Sequence, residues 1–173
     1  MIGGRGAMLA LAGLAGLLLV LAVVSGWQGT TRLTDRSDET AAVEDAARSF
    51  VEAYGTFDFR DPDSYRQHLL ALTTGSVREA VAASQVDPVA LGQQRTMTTS
   101  VVSVEVTALS EEGATVSVTA EQVRRIVDTT SGLLVDERVR QTADCRLVKE
   151  AGSWRVAEFH LRSEEPQTNP TAR

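Results

Sequence analysis

Cysteine is nearly absent from this 173-residue chain: Cys145 stands alone, so no intramolecular disulfide can hold the fold. With only two histidines, far from that cysteine, the spacing of a zinc site is missing too, and no cofactor or metal is expected. Lysine is down to Lys149, and the other basic residues are arginines. The net charge of −6 makes a phosphate backbone an unnatural partner for the whole chain, so no direct nucleic-acid contact is expected.

One long apolar run dominates what is there. Ala7–Val24 is 18 consecutive apolar or glycine residues without a charge. As a helix it rises roughly 27 Å, close to the ~30 Å hydrocarbon core of a bilayer. A lone segment in lipid can satisfy its backbone only as a helix. Arg5 precedes the run with no acid beside it, and a mixed stretch from Arg32 to Glu39 follows. The positive-inside rule then keeps the N-terminus in the cytoplasm and exports the rest, with Trp27 at headgroup level. Ala12 and Gly16 form a small-xxx-small pair of the kind that packs helices closely in a membrane. The competing reading is a signal peptide cut near Val24-Ser25-Gly26, which would release a soluble binding domain. The length of the run favours a retained anchor. The expected division is a cytoplasmic N-terminus at 1–6, a transmembrane helix at 7–26, a linker at 27–36, an exported domain at 37–162 and a disordered tail at 163–173.

Beyond the linker the apolar period is first helical. Val43, Ala46, Ala47, Phe50, Val51 and Tyr54 give one buried face, and Gly55 ends that helix. Asp61-Pro62 is an N-cap followed by proline at the first helical position, with Tyr65, Leu69 and Leu72 inward. Ser76–Glu79 reads as a capping box for a third helix, and Asp87-Pro88 as the start of a last turn. From Thr96 the period becomes two. Val102, Val104, Val106 and Ala108 share one face, then Ala114, Val116, Val118 and Ala120, then Val135, Val139, Ala143, Cys145 and Leu147. A fourth strand covers Trp154–Leu161. Short turns between strands impose an antiparallel meander with one apolar face for the helices to cover. The fold class predicted is α+β: one N-terminal transmembrane helix, then a cone of two to three helices packed on a curved four-stranded antiparallel sheet.

This order, with the run Phe50–Pro62, the Leu72-Thr73-Thr74-Gly75 turn and the closing Gly152-Ser153-Trp154-Arg155-Val156, resembles bitopic bacterial envelope proteins. Their exported domain is nuclear-transport-factor-two-like (NTF2-like, cystatin-like in its curl). Two branches fit: the inner-membrane assembly subunit of conjugative and type IV secretion systems, and the Mce-associated membrane proteins that accompany lipid importers. The resemblance implies a non-enzymatic, single-pass protein of the inner membrane. Its partners would be the bilayer, other envelope subunits and, in a homo-oligomer, further copies of itself.

Candidate surfaces follow. The Phe57, Asp58, Phe59, Arg60, Asp61 stretch is either a docking loop or a helix-to-helix turn in which Asp61 caps the next helix. Arg124, Arg125, Arg138, Arg140 and Arg146 could line up as a basic docking strip, or pair across strands with Glu121, Asp136 and Asp144. The same cone hosts enzymes and small-ligand binders, so an isomerase-like or apolar-ligand-binding domain is the alternative. It would need an acid–base pair at the mouth of the cone, drawn from Tyr54, Asp58, His68, Asp144 and His160. No spacing forces two of these together, and no catalytic residue is assigned.

Overall fold

The computed structural model describes residues 36–167. The predicted anchor, with Ala12, Gly16 and Trp27, lies outside them, as do residues 168–173 of the predicted tail. Among the described residues no helix is long and apolar enough to cross a membrane. The chain divides into a unit Met1–Glu39 and a unit Thr40–Arg173. Apart from the first four residues of helix α1, everything that follows belongs to the second.

Helix α1 covers residues 36–55. After it come β1 (Phe57–Asp58), α2 (Pro62–Leu72), α3 (Gly75–Ala83) and α4 (Pro88–Gly92), then the long strands β2 (Thr96–Leu109), β3 (Ala114–Val127), β4 (Leu134–Glu150) and β5 (Ser153–Pro166). The strands form one antiparallel sheet in sequence order. Most of the apolar stripe of α1 does what its spacing requires: Val43, Ala47, Phe50 and Val51 are buried against Val116, Val118, Cys145, Leu147 and Val156 of the sheet, but Tyr54, at the last turn, is 40% exposed. That makes the inner face of the sheet the core and leaves the other face to solvent.

The sheet has five strands and not four. Phe57-Asp58 pairs with Met97 and Thr96, so the presumed loop after α1 is partly a strand too short to show a period. The alternation in β2 is also broken twice. Register shifts fall between Val101 and Ser103 and between Val106 and Ala108. Val102 is therefore turned out and 56% exposed, while Val101 and Leu109 take up core contacts in place of Val102 and Ala108. Two further shifts lie between β4 and β5. Each bulge bends its strand and adds twist, so strands of 14 to 17 residues curl around α1.

Two other expectations change. Ser76 does not cap α3: Thr74 is the N-cap residue without a side-chain bond, and the Ser76 hydroxyl reaches the Ala157 carbonyl on β5. The chain does not leave the sheet at Ser163, because β5 runs on to Pro166 opposite Val139. By contrast, Asp61 caps α2 through Ser64 N at 3.1 Å, and Asp87 caps α4 through Val89 N at 2.9 Å. The α2–α3 turn closes the β5 edge locally. Thr73 bridges to Val156 in parallel, and Thr74 N donates to the Val156 carbonyl at 2.9 Å.

Cys145 sits in this core with no exposed surface, and burial, with Asp144 next to it, pushes its thiol up to about 12. A maleimide should leave Cys145 untouched in the folded protein and label it fully once urea is added. Rapid labelling without denaturant, followed by mass spectrometry, would mean that β4 opens far more readily than its packing allows.

Candidate functional site

An apolar groove of about 710 Å³ lies between α1, α2, α3, α4 and the sheet. Its floor is aromatic. Phe50 and Phe159 meet edge to face at 5.3 Å, Tyr54 lies 4.6 Å from Phe159, and Phe57 packs edge-on against Tyr65 at 5.3 Å. One wall comes from Val77, Ala80 and Val81 of α3. The Tyr65 hydroxyl donates to the Tyr54 carbonyl at 3.0 Å, and burial pushes its phenol up to about 12. Four charged residues line the groove: Asp63, Arg66, Asp87 and Arg95.

Of the acid–base candidates only Tyr54 lines this groove. Asp58 is held by Arg60, His68 lies near Ser64 on the exposed side of α2, and His160 pairs in register with Asp144 on the outer face. Asp144 itself is ion-paired with Arg162 at 2.5 Å. The residues needed for proton transfer are thus dispersed over three surfaces.

The Phe57–Asp61 stretch is internally satisfied. Phe57 is buried, and Phe59 N donates to the Arg95 carbonyl at 3.1 Å. The Asp58 carboxylate takes bonds from the Arg60 backbone and guanidinium at 2.6–3.0 Å, which hold it below the usual carboxylate range. The Arg60 guanidinium also lies 5.8 Å from the Phe59 ring centre. That is the geometry of a locked turn leading into the Asp61 cap.

The five arginines do not form one strip. Neighbouring residues on a strand face opposite ways, so Arg124 and Arg125 are on different faces of β3. On the outer face Arg125 pairs with Asp136 at 2.8 Å, Arg140 with Glu121 at 2.6 Å and Arg146 with Glu158 at 2.7 Å. Arg138 stands opposite Val123 in the same row. Cross-strand neutralisation is therefore the rule on this face.

Arg124 belongs instead to a polar chain on the inner face. Its guanidinium grips both Glu164 oxygens at 2.7 Å, and its Nε donates to the Gln122 side-chain oxygen at 2.5 Å. Gln122 is 3% exposed, and its Nε2 donates to the Gly55 carbonyl at 3.0 Å and to Thr99 Oγ1 at 3.1 Å. Thr99 Oγ1 in turn donates to the same carbonyl at 2.8 Å. Arg124 and Gln141 hold the Glu164 carboxyl below its ordinary range. This chain ties the end of β5 to the end of α1, and the sequence reading missed it. The signal was present: Gln122 continues the apolar parity of Ala114, Val116, Val118 and Ala120.

No protein-family model matches the chain, and no curated protein is similar to it in sequence. Solved structures do share its fold. The VirB8 protein of Agrobacterium tumefaciens superimposes with a TM-score of 0.55 at 12% identity, over 76% of this chain and 96% of that one. An Ntf2-like protein involved in plasmid conjugation gives 0.51 at 17% identity over 76% of this chain, which spans about half (51%) of that longer structure. The domain has the NTF2-like fold. The TraE protein, solved in complex with 2-(2-furyl)isonicotinic acid, gives 0.51 at 17% identity over 70% of this NTF2-like chain and 93% of its own. The suspected resemblance to secretion and conjugation subunits thus holds at the level of structure.

Proposed function

We propose that this protein is a non-enzymatic, membrane-anchored assembly subunit of a cell-envelope translocation machine of the conjugative or type IV secretion type. The observation that carries the reading is the match of the whole helix–sheet domain to VirB8 over 96% of that chain. The order of an apolar run followed by such a domain supports it. So does the dispersal of Tyr54, Asp58, His68, Asp144 and His160, of which only Tyr54 lines the groove. In this reading the N-terminus is cytoplasmic, Ala7–Val24 is retained in the inner membrane, and the NTF2-like domain meets its partner subunits outside.

The test is purification of the full chain, tagged at its C-terminus, from membranes in mild detergent, with its intact mass recorded. An uncleaved chain arriving with other secretion-machine subunits is the expected result. A soluble chain cut near Gly26 and travelling alone would overturn the reading.

A further inference from the structure

The aromatic groove carries a second consequence, independent of any assembly role. Its volume of about 710 Å³ lies within the range of small-molecule sites, roughly 300–1,000 Å³. Its walls are apolar but offer few directed hydrogen bonds, since the Tyr65 hydroxyl is already engaged by the Tyr54 carbonyl. Such a surface selects an apolar body by burial and not by donor–acceptor pattern. The charges around it are unequal. Asp63 is exposed and faces Arg66, and Asp87 is exposed and holds Val89 N. Arg95 is the only half-buried charge among the four. Its guanidinium donates to the Gln93 amide oxygen at 2.8 Å, and among the described residues no carboxylate is paired with it. A guanidinium beside an apolar trough is matched by one kind of small occupant: an apolar chain ending in an anion.

We propose that this groove binds a long-chain acyl carboxylate, with its head on Arg95 and its chain along the aromatic floor towards Phe159. Van der Waals contact with Tyr54, Phe159 and Val81 holds the chain, and the charge-assisted bond to Arg95 fixes its direction. An open trough of this kind lets the ligand enter without rearranging the core.

The full chain in lipid nanodiscs, exposed to a diazirine-bearing stearate and illuminated, tests this. Mass spectrometry should place the label on peptides containing Val77–Val86 or Phe159. The methyl ester of the same probe should label at least tenfold less, and Arg95→Gln should weaken labelling by the free acid to a similar degree. Val81→Trp, which fills the trough from an incompletely buried position, should abolish groove labelling while the circular dichroism spectrum stays unchanged. Equal labelling by acid and ester, or by wild type and Arg95→Gln, would overturn the assignment of the head group. Label confined to the N-terminal apolar run would overturn the site. Displacement by 1-naphthoate but not by oleate would overturn the acyl class of the ligand.

Discussion

Alanine at Gly55 is expected to destabilise the domain by about 4 kcal/mol, a large share of what a single domain has in total. A Cβ built at Gly55 would lie 2.0 Å from Thr99 Oγ1, 2.7 Å from Thr99 Cβ and 3.0 Å from Gln122 Nε2. Two of those atoms belong to a strand side chain with little freedom to retreat. Overpacking alone costs roughly 1–3 kcal/mol. The methyl group also pushes apart the two donors that satisfy the Gly55 carbonyl, and a buried polar group left without a partner costs about 1–3 kcal/mol more. The carbonyl is one of the last in α1, where no intrahelical partner exists, so it depends on these side chains. Thr99→Ala in the Gly55→Ala background should restore part of the loss, because it removes the oxygen at 2.0 Å and leaves the carbon at 2.7 Å. Urea denaturation followed by circular dichroism reads both. An unchanged midpoint for Gly55→Ala would show that α1 does not end against β2 in this way.

This junction shows where sequence reading stops. Gly55 was legible as a helix end, and the face from Val43 to Val51 was legible because one helical period repeats; Tyr54, read as its continuation, lines the groove and is 40% exposed. The meander was legible from β3 outward, since Ala114 to Ala120 alternate without a break. What was not legible is what depends on pairing between distant residues. The bulges at Val102 and Thr107 insert one residue each and leave no compositional mark, so Val102 and Ala108, at the two ends of the count, were assigned the core face that Val101 and Leu109 take, while Val104 and Val106 between the bulges kept theirs. The strand Phe57-Asp58 has only two residues and acquires its identity from Met97 and Thr96, about forty positions on. Ser163–Pro166 looked like tail because it is polar and ends in proline. It is held to the sheet by Glu164 on Arg124, and Pro166 is tolerated because β5 is the edge strand.

The candidate surfaces divide in the same way. Asp61 as a cap could be read locally, because a cap involves residues three apart. The arginine strip could not, because whether Arg125, Arg140 and Arg146 are free depends on Asp136, Glu121 and Glu158 in neighbouring strands. The groove was invisible at the level of pattern. Phe50, Tyr54 and Tyr65 each read as core, and only their assembly with Phe159 leaves a trough above them.

Phe50→Ala is the second large effect, and it separates the floor of the groove from the core beneath. Phe50 is 1% exposed and among the largest fully buried side chains of the domain. It stacks on Tyr54 at 5.9 Å and meets Phe159 edge to face at 5.3 Å. Truncation removes the transfer free energy of the ring and leaves a void that α1, packed on a bulged sheet, closes only in part. Substitutions of this kind cost about 3–5 kcal/mol. Phe50→Leu keeps most of the volume and should cost below about 1.5 kcal/mol. Val102→Ala, on the outward bulge, should stay within about 0.5 kcal/mol. The three midpoints should therefore fall in the order Val102→Ala, Phe50→Leu, Phe50→Ala. If Val102→Ala were as damaging as Phe50→Ala, the inner face of β2 would have been assigned to the wrong residues. In Phe50→Leu the core survives while the aromatic triad with Tyr54 and Phe159 is lost, so a change in acyl labelling there would report on the groove and not on stability.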